Sequence, residues 1–547
     1  MLTRNQNFLI LMRYSVVFSF IITLAVQQAF AQKLPEVDKE AMKANTRELS
    51  TDFYMGRKPF TFGEERALKF IKEKFRSAGL RPGNGRSFFQ PVPLMETNIS
   101  EVSPLIVKSG SKTVSLTHMK DFVLLAETAT PEIILNDDVI FAGYGVVAPE
   151  YNWNDYAGLD VKGKVVLVMV NDPGYGVDTT IFKGKNMTYY GRWTYKFEEA
   201  ARQGAKACFV IHNTAAASYG FNVVQNSNNG SDLYLDERNN PQPHTLINGW
   251  LSADAAKQIL NLSGKDTSLL VSANTAGFKA VDLKLKVSIN GRVTTHYSTS
   301  QNVMGMIKGR KRPNEYIIYT SHWDHLGIGA PDETGDSIYN GAHDNATGIA
   351  GLIELAKLFK SKKRPERSVI FLAVTAEEQG LLGSKYYAEN PVYPLKQTVA
   401  VINMDALNVY DRTRDIRIGG LGQNELEDYA IEAAQLQERT LKTDGYDTGG
   451  GYFRSDHFSF VKKGVPALSA GSGSDYGDTN DAEIGKKYAD LGRRYHSVKD
   501  EFNPAWTFEG AAADLQLYFL VGSKLANETS WPKWKEGSEF KALREQN

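Results

Sequence analysis

Apolar residues recur at helical spacing between Lys33 and Gly79: Ala41, Ala44 and Leu49, then Ala67, Phe70, Ile71 and Phe75. That period predicts two leading helices, the second stopped by Gly79 and Pro82. From about Ile99 to Gly277 the runs shorten. Leu105–Val107, Val139–Phe141 and Val165–Val170 alternate with turn residues, which predicts short strands. A helical stretch, Tyr195–Gln203, precedes the apolar run Ala207–Ile211. Tyr219–Pro243 is rich in Asn, Ser and Gly and predicts a long surface loop.

From Ala280 onward strands and helices alternate. Tyr316–Thr320, Val369–Val374, Val399–Ile402 and Val465–Leu468 predict strands, the second apolar throughout. Ala346–Ser361, Leu381–Glu389 and Gln423–Arg439 predict helices, the first and last with apolar stripes. The alternation predicts an α/β fold, a three-layer sheet with mostly parallel central strands. The expected organisation is a signal peptide over residues 1–31, a helical segment over 32–98, a β-rich insert over 99–279 and an α/β domain over 280–547.

Composition narrows the function. The chain carries 63 basic and 63 acidic residues with no basic cluster, which argues against nucleic acid as a partner. Arg4 and Arg13 precede the apolar run Val16–Val26, and Ala29-Phe30-Ala31 offers a small-x-small cleavage site. The run is short for a membrane span, so the expectation is a periplasmic or secreted protein without stable membrane association after cleavage. Cys208 is the single cysteine, so no internal disulfide forms. Its apolar surroundings predict a buried, inert thiol.

In open α/β sheets ligands collect beyond the carboxyl ends of the strands. His322 and Asp324 follow the Tyr316 run, Glu377 and Glu378 follow the Val369 run, and Asp405 follows the Val399 run. Asp344 lies in Gly341-Ala342-His343-Asp344, and His496 in Arg494-Tyr495-His496. Crowded carboxylates repel one another, and a divalent cation removes that cost. Mixed imidazole and carboxylate ligation suits zinc, with manganese or cobalt as weaker options. Two histidines and three carboxylates exceed the roughly three protein ligands of one catalytic zinc. They suit two zinc ions about 3.5–4 Å apart that share a carboxylate. Asp324, two residues after His322, falls on the same face of an extended chain, where a carboxylate can orient the imidazole. His325 and His343 adjoin these positions, and spacing alone does not exclude a swap. The acidic loop Gly327–Gly341 lacks regular calcium-loop spacing and reads as a solvated rim.

The order His322-x-Asp324, Asp344, Glu377-Glu378, Asp405, His496 resembles the M28 family of zinc aminopeptidases, over roughly residues 285–515. The resemblance implies a zinc-exopeptidase fold, two zinc ions per chain and peptide substrates. It implies Asp344 as the bridge, His322 and Asp405 on one metal, and Glu378 and His496 on the other. It makes Glu377 the general base and Asp344–Asn345 a cis peptide. Arg454, in Arg454-Ser455-Asp456-His457, which resembles a segment that family members carry near the substrate, reads as a contact to the substrate backbone or as a structural ion pair. Tyr495 is the candidate donor to a developing oxyanion, with a core aromatic as the alternative. Carboxypeptidases and single-zinc glutaminyl cyclases of the same fold family are alternatives, as is a non-catalytic binding protein. Phe141–Gly145, Leu159–Leu167 and Ala200–Ala207, taken in order, resemble a protease-associated (PA) domain. Such inserts shape a peptidase cleft without catalysing.

Overall fold

A computed structural model describes residues 34–546 apart from 229, 239–240, 444, 446 and 478–480. The expected signal peptide lies outside the described residues.

The leading helices are α1 (Lys39–Leu49) and α2 (Phe62–Ser77). Asp38 caps α1 by accepting from the Ala41 amide. Their buried faces, Met42 and Leu49, then Ala67, Ile71 and Phe75, join the main core. The chain then runs through β1 (Phe89–Ser100), β2 (Glu132–Phe141), β3 (Val165–Met169), α3 (Trp193–Arg202) and β4 (Ala207–Ile211). Next come β5 (Ser231–Leu235) and β6 (Ile247–Leu251). In this middle region β3 lies parallel between β2 and β4, and β4 lies parallel to β6. Cys208 is fully buried in β4, and burial pushes its thiol pKa up.

The expected loop between Tyr219 and Pro243 is a correction. It contains a helix, Phe221–Ser227, and the strand β5, which pairs antiparallel with β1. Leu233 and Leu235 of β5 are buried against Val92, Leu94, Ala376 and Leu382. Two apolar residues at period two suffice to seat the strand, and the polar flanks hide them in the sequence.

A 27-residue strand, β7 (Val281–Ile307), follows. It pairs with β2, then β1, and finally reaches the next sheet. The expected boundary at 279/280 falls at the foot of this strand, which runs through both parts of the fold. The remaining elements are β8 (Arg312–His322), α4 (Thr347–Ser361), β9 (Arg367–Val374), α5 (Leu382–Glu389) and β10 (Thr398–Asn403). Then follow α6 (Leu426–Leu436), β11 (Ala467–Ser472), α7 (Asp481–Arg494) and α8 (Glu509–Asn527).

The sheet order is β7–β9–β8–β10–β11. The last four strands are mutually parallel and β7 is antiparallel. Alternate residues serve two cores. Ile317, Tyr319, Val369 and Phe371 face α4, α6 and α8, while Ile318, Ile370 and Leu372 face Tyr387, Phe458 and Phe460. This is the expected three-layer arrangement. Parallel strands put their carboxyl ends on one rim. Among the described residues no helix is long and apolar enough to cross a membrane.

Candidate metal centre

Each candidate group leaves a strand or helix end at that rim. His322 is the last residue of β8. Glu377 and Glu378 follow β9, Asp405 follows β10, and His496 follows α7. Asp344 sits in the turn before α4, and its peptide bond to Asn345 is cis. Ala376, Ala406 and His496 take left-handed backbone, with φ of 50°, 55° and 51°. Such non-glycine conformations cost on the order of 1 kcal/mol each and cluster at functional sites.

The five side chains converge. His322 Nε2 lies 3.2 Å from Asp344 Oδ1 and 3.2 Å from Asp405 Oδ1. His496 Nε2 lies 3.4 Å from Asp344 Oδ2 and 2.9 Å from Glu378 Oε2. Asp344 thus turns one oxygen to each imidazole. Two ligands of one tetrahedral zinc, with bonds near 2.0–2.1 Å, stand about 3.3 Å apart. The four separations fit that edge length, so the residues present suit such ions. Glu377 groups with His322 and Asp405, their ligand atoms within 4.8 Å of one another.

The electrostatics agree. Burial opposes charge on the His322 ring, but Glu377 and Asp405 overcome it and hold its pKa well above the usual value. His496 is likewise pushed up to about 10 against burial, mainly by Glu378. Burial and the Asp405 and Glu378 carboxylates raise the pKa of Glu377 well above the usual value, despite the nearby His322 ring. A cation entering here displaces protons from the imidazoles.

Asp324 departs from its expected role. His322 Nδ1 is 3.2 Å from the Asp324 backbone carbonyl and 3.8 Å from its carboxylate. The carboxylate instead accepts the amides of Glu377 at 3.1 Å and Glu378 at 3.4 Å. β8 ends at His322, so the extended-chain rule for side-chain direction stops applying there.

Arg454 donates to Gly449 O at 2.7 Å, Ser218 Oγ at 3.0 Å and Ala217 O at 3.3 Å. The bonds to Ser218 and Ala217 tie the segment before Ser455 to the insert. Tyr495 stacks on His496, ring centroids 3.9 Å apart, and is 59% exposed. His325 is fully buried with Nδ1 2.6 Å from Glu378 Oε1. His343 packs its ring near Trp506.

Three contributors were given no role from the sequence. Ser455 Oγ donates to Asp405 Oδ2 at 2.6 Å. The Asp500 carboxylate accepts the amides of His343 at 2.9 Å and Asp344 at 3.0 Å. Arg57 is buried beneath the ligand loops. Ser455 lay in a noted motif, but its partner did not follow from it. Asp500 and Arg57 are single residues far from the motifs, visible only in three dimensions.

Residues 302–520 match the family model described as Peptidase family M28. That match spans less than half of the chain. The chain resembles Aminopeptidase NAALADL1 of Mus musculus, 37% identical over 128 residues, which is 22% of this chain and 15% of that protein. Aminopeptidase YwaD of Bacillus subtilis is 27% identical over 338 residues, 59% of this chain and 58% of that protein. In both cases less than two thirds of the relative is covered. The solved aminopeptidase from Aneurinibacillus sp. strain AM-1 superposes with a TM-score of 0.50 at 20% identity, over 90% of this chain and 95% of that one. That likeness concerns the fold.

Proposed function

We propose that the chain is a di-zinc aminopeptidase that removes N-terminal residues from peptides, with residues 1–31 directing export and residues 99–279 a PA-type insert. The observation that carries this reading is the placement of Asp344 between two imidazoles, each with a second carboxylate of its own. His322, Asp344 and Asp405 would hold one ion, and Asp344, Glu378 and His496 the other. Bound zinc lowers the pKa of water toward about 7 and polarises a scissile carbonyl.

The protein's own groups do the rest. Glu377 carries no metal in this scheme. Burial raises its proton affinity, which suits a base that takes a proton from water and returns it to the leaving amine. Asp324 anchors the Glu377 and Glu378 amides and so sets the direction of both carboxylates. His325 holds Glu378 Oε1, leaving Oε2, which faces His496, for an ion. Tyr495, exposed on the face of His496, would meet a substrate rather than the core.

The test compares aminoacyl anilides with N-acetylated dipeptides bearing a free C-terminus. Turnover of the anilides supports the reading. Turnover of only the acetylated dipeptides contradicts it and points to a carboxypeptidase.

A further inference from the structure

Every candidate ligand lies within residues 302–520, yet the loops that carry them are held by a side chain from the leading helical segment. Arg57 closes the turn after α1 and is fully buried. Its Nε donates to the Trp323 carbonyl at 2.8 Å. Nη1 donates to Leu49 at 2.9 Å and Asn340 at 2.6 Å, and Nη2 to Gly341 at 2.9 Å. All four acceptors are backbone carbonyls.

Their positions matter. Trp323 lies between His322 and Asp324, and Asn340 and Gly341 lead into Asp344. One guanidinium therefore grips the β8 exit and the turn before α4 together. The other side of that turn is held by Asp500. Its backbone carbonyl takes the Ala342 amide at 2.9 Å, and its carboxylate takes the amides of His343 and Asp344. The peptide units from 340 to 344 thus run from the Arg57 guanidinium, which donates to the 340 and 341 carbonyls, to the buried Asp500, whose oxygens accept the 342–344 amides. Gly341 has φ of 56°, and a side chain there would meet the Asp344 carbonyl and the His325 ring. The turn has no slack.

Only a planar fork with donors in several directions spans two loops this way. A lysine ammonium projects three donors from one atom and cannot reproduce the spread. Burial lowers the Arg57 pKa to about 10, so the group remains a cation at neutral pH.

We propose that Arg57 is a positioning residue of the metal centre, fixing the Trp323 and Asn340–Gly341 carbonyls so that His322 and Asp344 converge before an ion arrives. The proposal rests on the reading that His322 and Asp344 hold zinc. It makes the leading segment, outside the matched family region, part of the site. Partners that orient metal ligands typically change metal affinity 10–100-fold when removed.

The experiment uses the full chain and its Arg57→Met and Arg57→Lys variants. Zinc affinity is measured by competition with a chromophoric chelator, and melting temperature is measured with and without zinc. Arg57→Met is expected to bind zinc about 10–100-fold more weakly, and its zinc-dependent gain in melting temperature shrinks. Arg57→Lys recovers part of the affinity. An Arg57→Met variant with wild-type zinc affinity, losing melting temperature equally with and without zinc, would overturn the proposal and leave Arg57 a fold staple. If Arg57→Met does not fold, Arg57→Lys decides by the same readout, and unchanged zinc affinity overturns the proposal. A wild-type chain that takes up no zinc overturns the functional reading and this inference together. Wild-type uptake with unaltered variants overturns this inference alone.

Discussion

Ser455 donates its hydroxyl to Asp405 Oδ2 at 2.6 Å, leaving Asp405 Oδ1 to face His322 at 3.2 Å. Asn403 Nδ2 donates to the same hydroxyl oxygen at 2.7 Å and fixes its lone pairs. The hydroxyl therefore decides which carboxylate oxygen is free for an ion. Ser455→Ala is expected to retain metal but lower kcat/KM about tenfold or more, the range for lost partners of a metal ligand. Steady-state kinetics beside metal analysis checks it, and unchanged kcat/KM would remove Ser455 from the site.

Glu377 and His322 sit in one cluster with Asp405 but are assigned different work. Glu377→Gln is expected to keep its metal and lose turnover by about 10²–10⁴-fold, the usual scale for removing a general base. His322→Ala is expected to lose metal as well. Metal content measured on the two variants separates the roles. Full activity in Glu377→Gln would mean the base has been misassigned.

The insert grips the segment that leads into Ser455. Asn171, buried with φ of 78°, donates to Ala216 O at 2.8 Å and Thr448 O at 3.2 Å. Met187 N donates to Asp447 O at 2.9 Å nearby. Asn171→Gly keeps the left-handed backbone accessible and deletes the donor. It is expected to cost about 1–3 kcal/mol of stability through two carbonyls left unpaired. Denaturant unfolding measures the change, and an unshifted midpoint would show that these bonds hold nothing together.

His244 stands between Glu127 Oε2 at 3.1 Å and Glu237 Oε2 at 2.7 Å. The bonds to Glu127 and then Glu237 raise its pKa to about 9. The unfolded value is near 6.5, so the folded state binds this proton more tightly. The stabilisation is fully present below about pH 6.5 and is lost as pH rises through about 9. After allowance for solvent screening it amounts to about 1 kcal/mol. His244→Gln should lower unfolding free energy more at pH 6 than at pH 9.5. An equal loss at both values would contradict the assignment.

The α/β part was legible because its strands are buried on both faces and read as unbroken apolar runs, Val369–Val374 above all. His322, Glu378 and Asp405 were legible because each follows such a run within a few residues, and the topology then delivers them to one rim, whereas Asp344 and His496 follow no such run and were picked out by the resemblance alone. β5 was not, since its signal is Leu233 and Leu235 amid polar neighbours. The direction of the Asp324 carboxylate was lost because the chain turns once β8 ends. Arg454 read in the sequence as a contact to the substrate backbone or a structural ion pair, but it donates to Ala217 and Ser218 of the insert, residues more than 230 positions away. Arg57 and Asp500 share that difficulty: neither belongs to a pattern, and both act through backbone groups that any residue supplies.

Calorimetric titration of zinc into the metal-free full chain addresses the account most directly. The geometry of Asp344, with one oxygen toward His322 and the other toward His496, predicts two equivalents bound per chain, both lost in Asp344→Ala. A single equivalent, or two equivalents that survive that substitution, would contradict a centre built around a shared carboxylate.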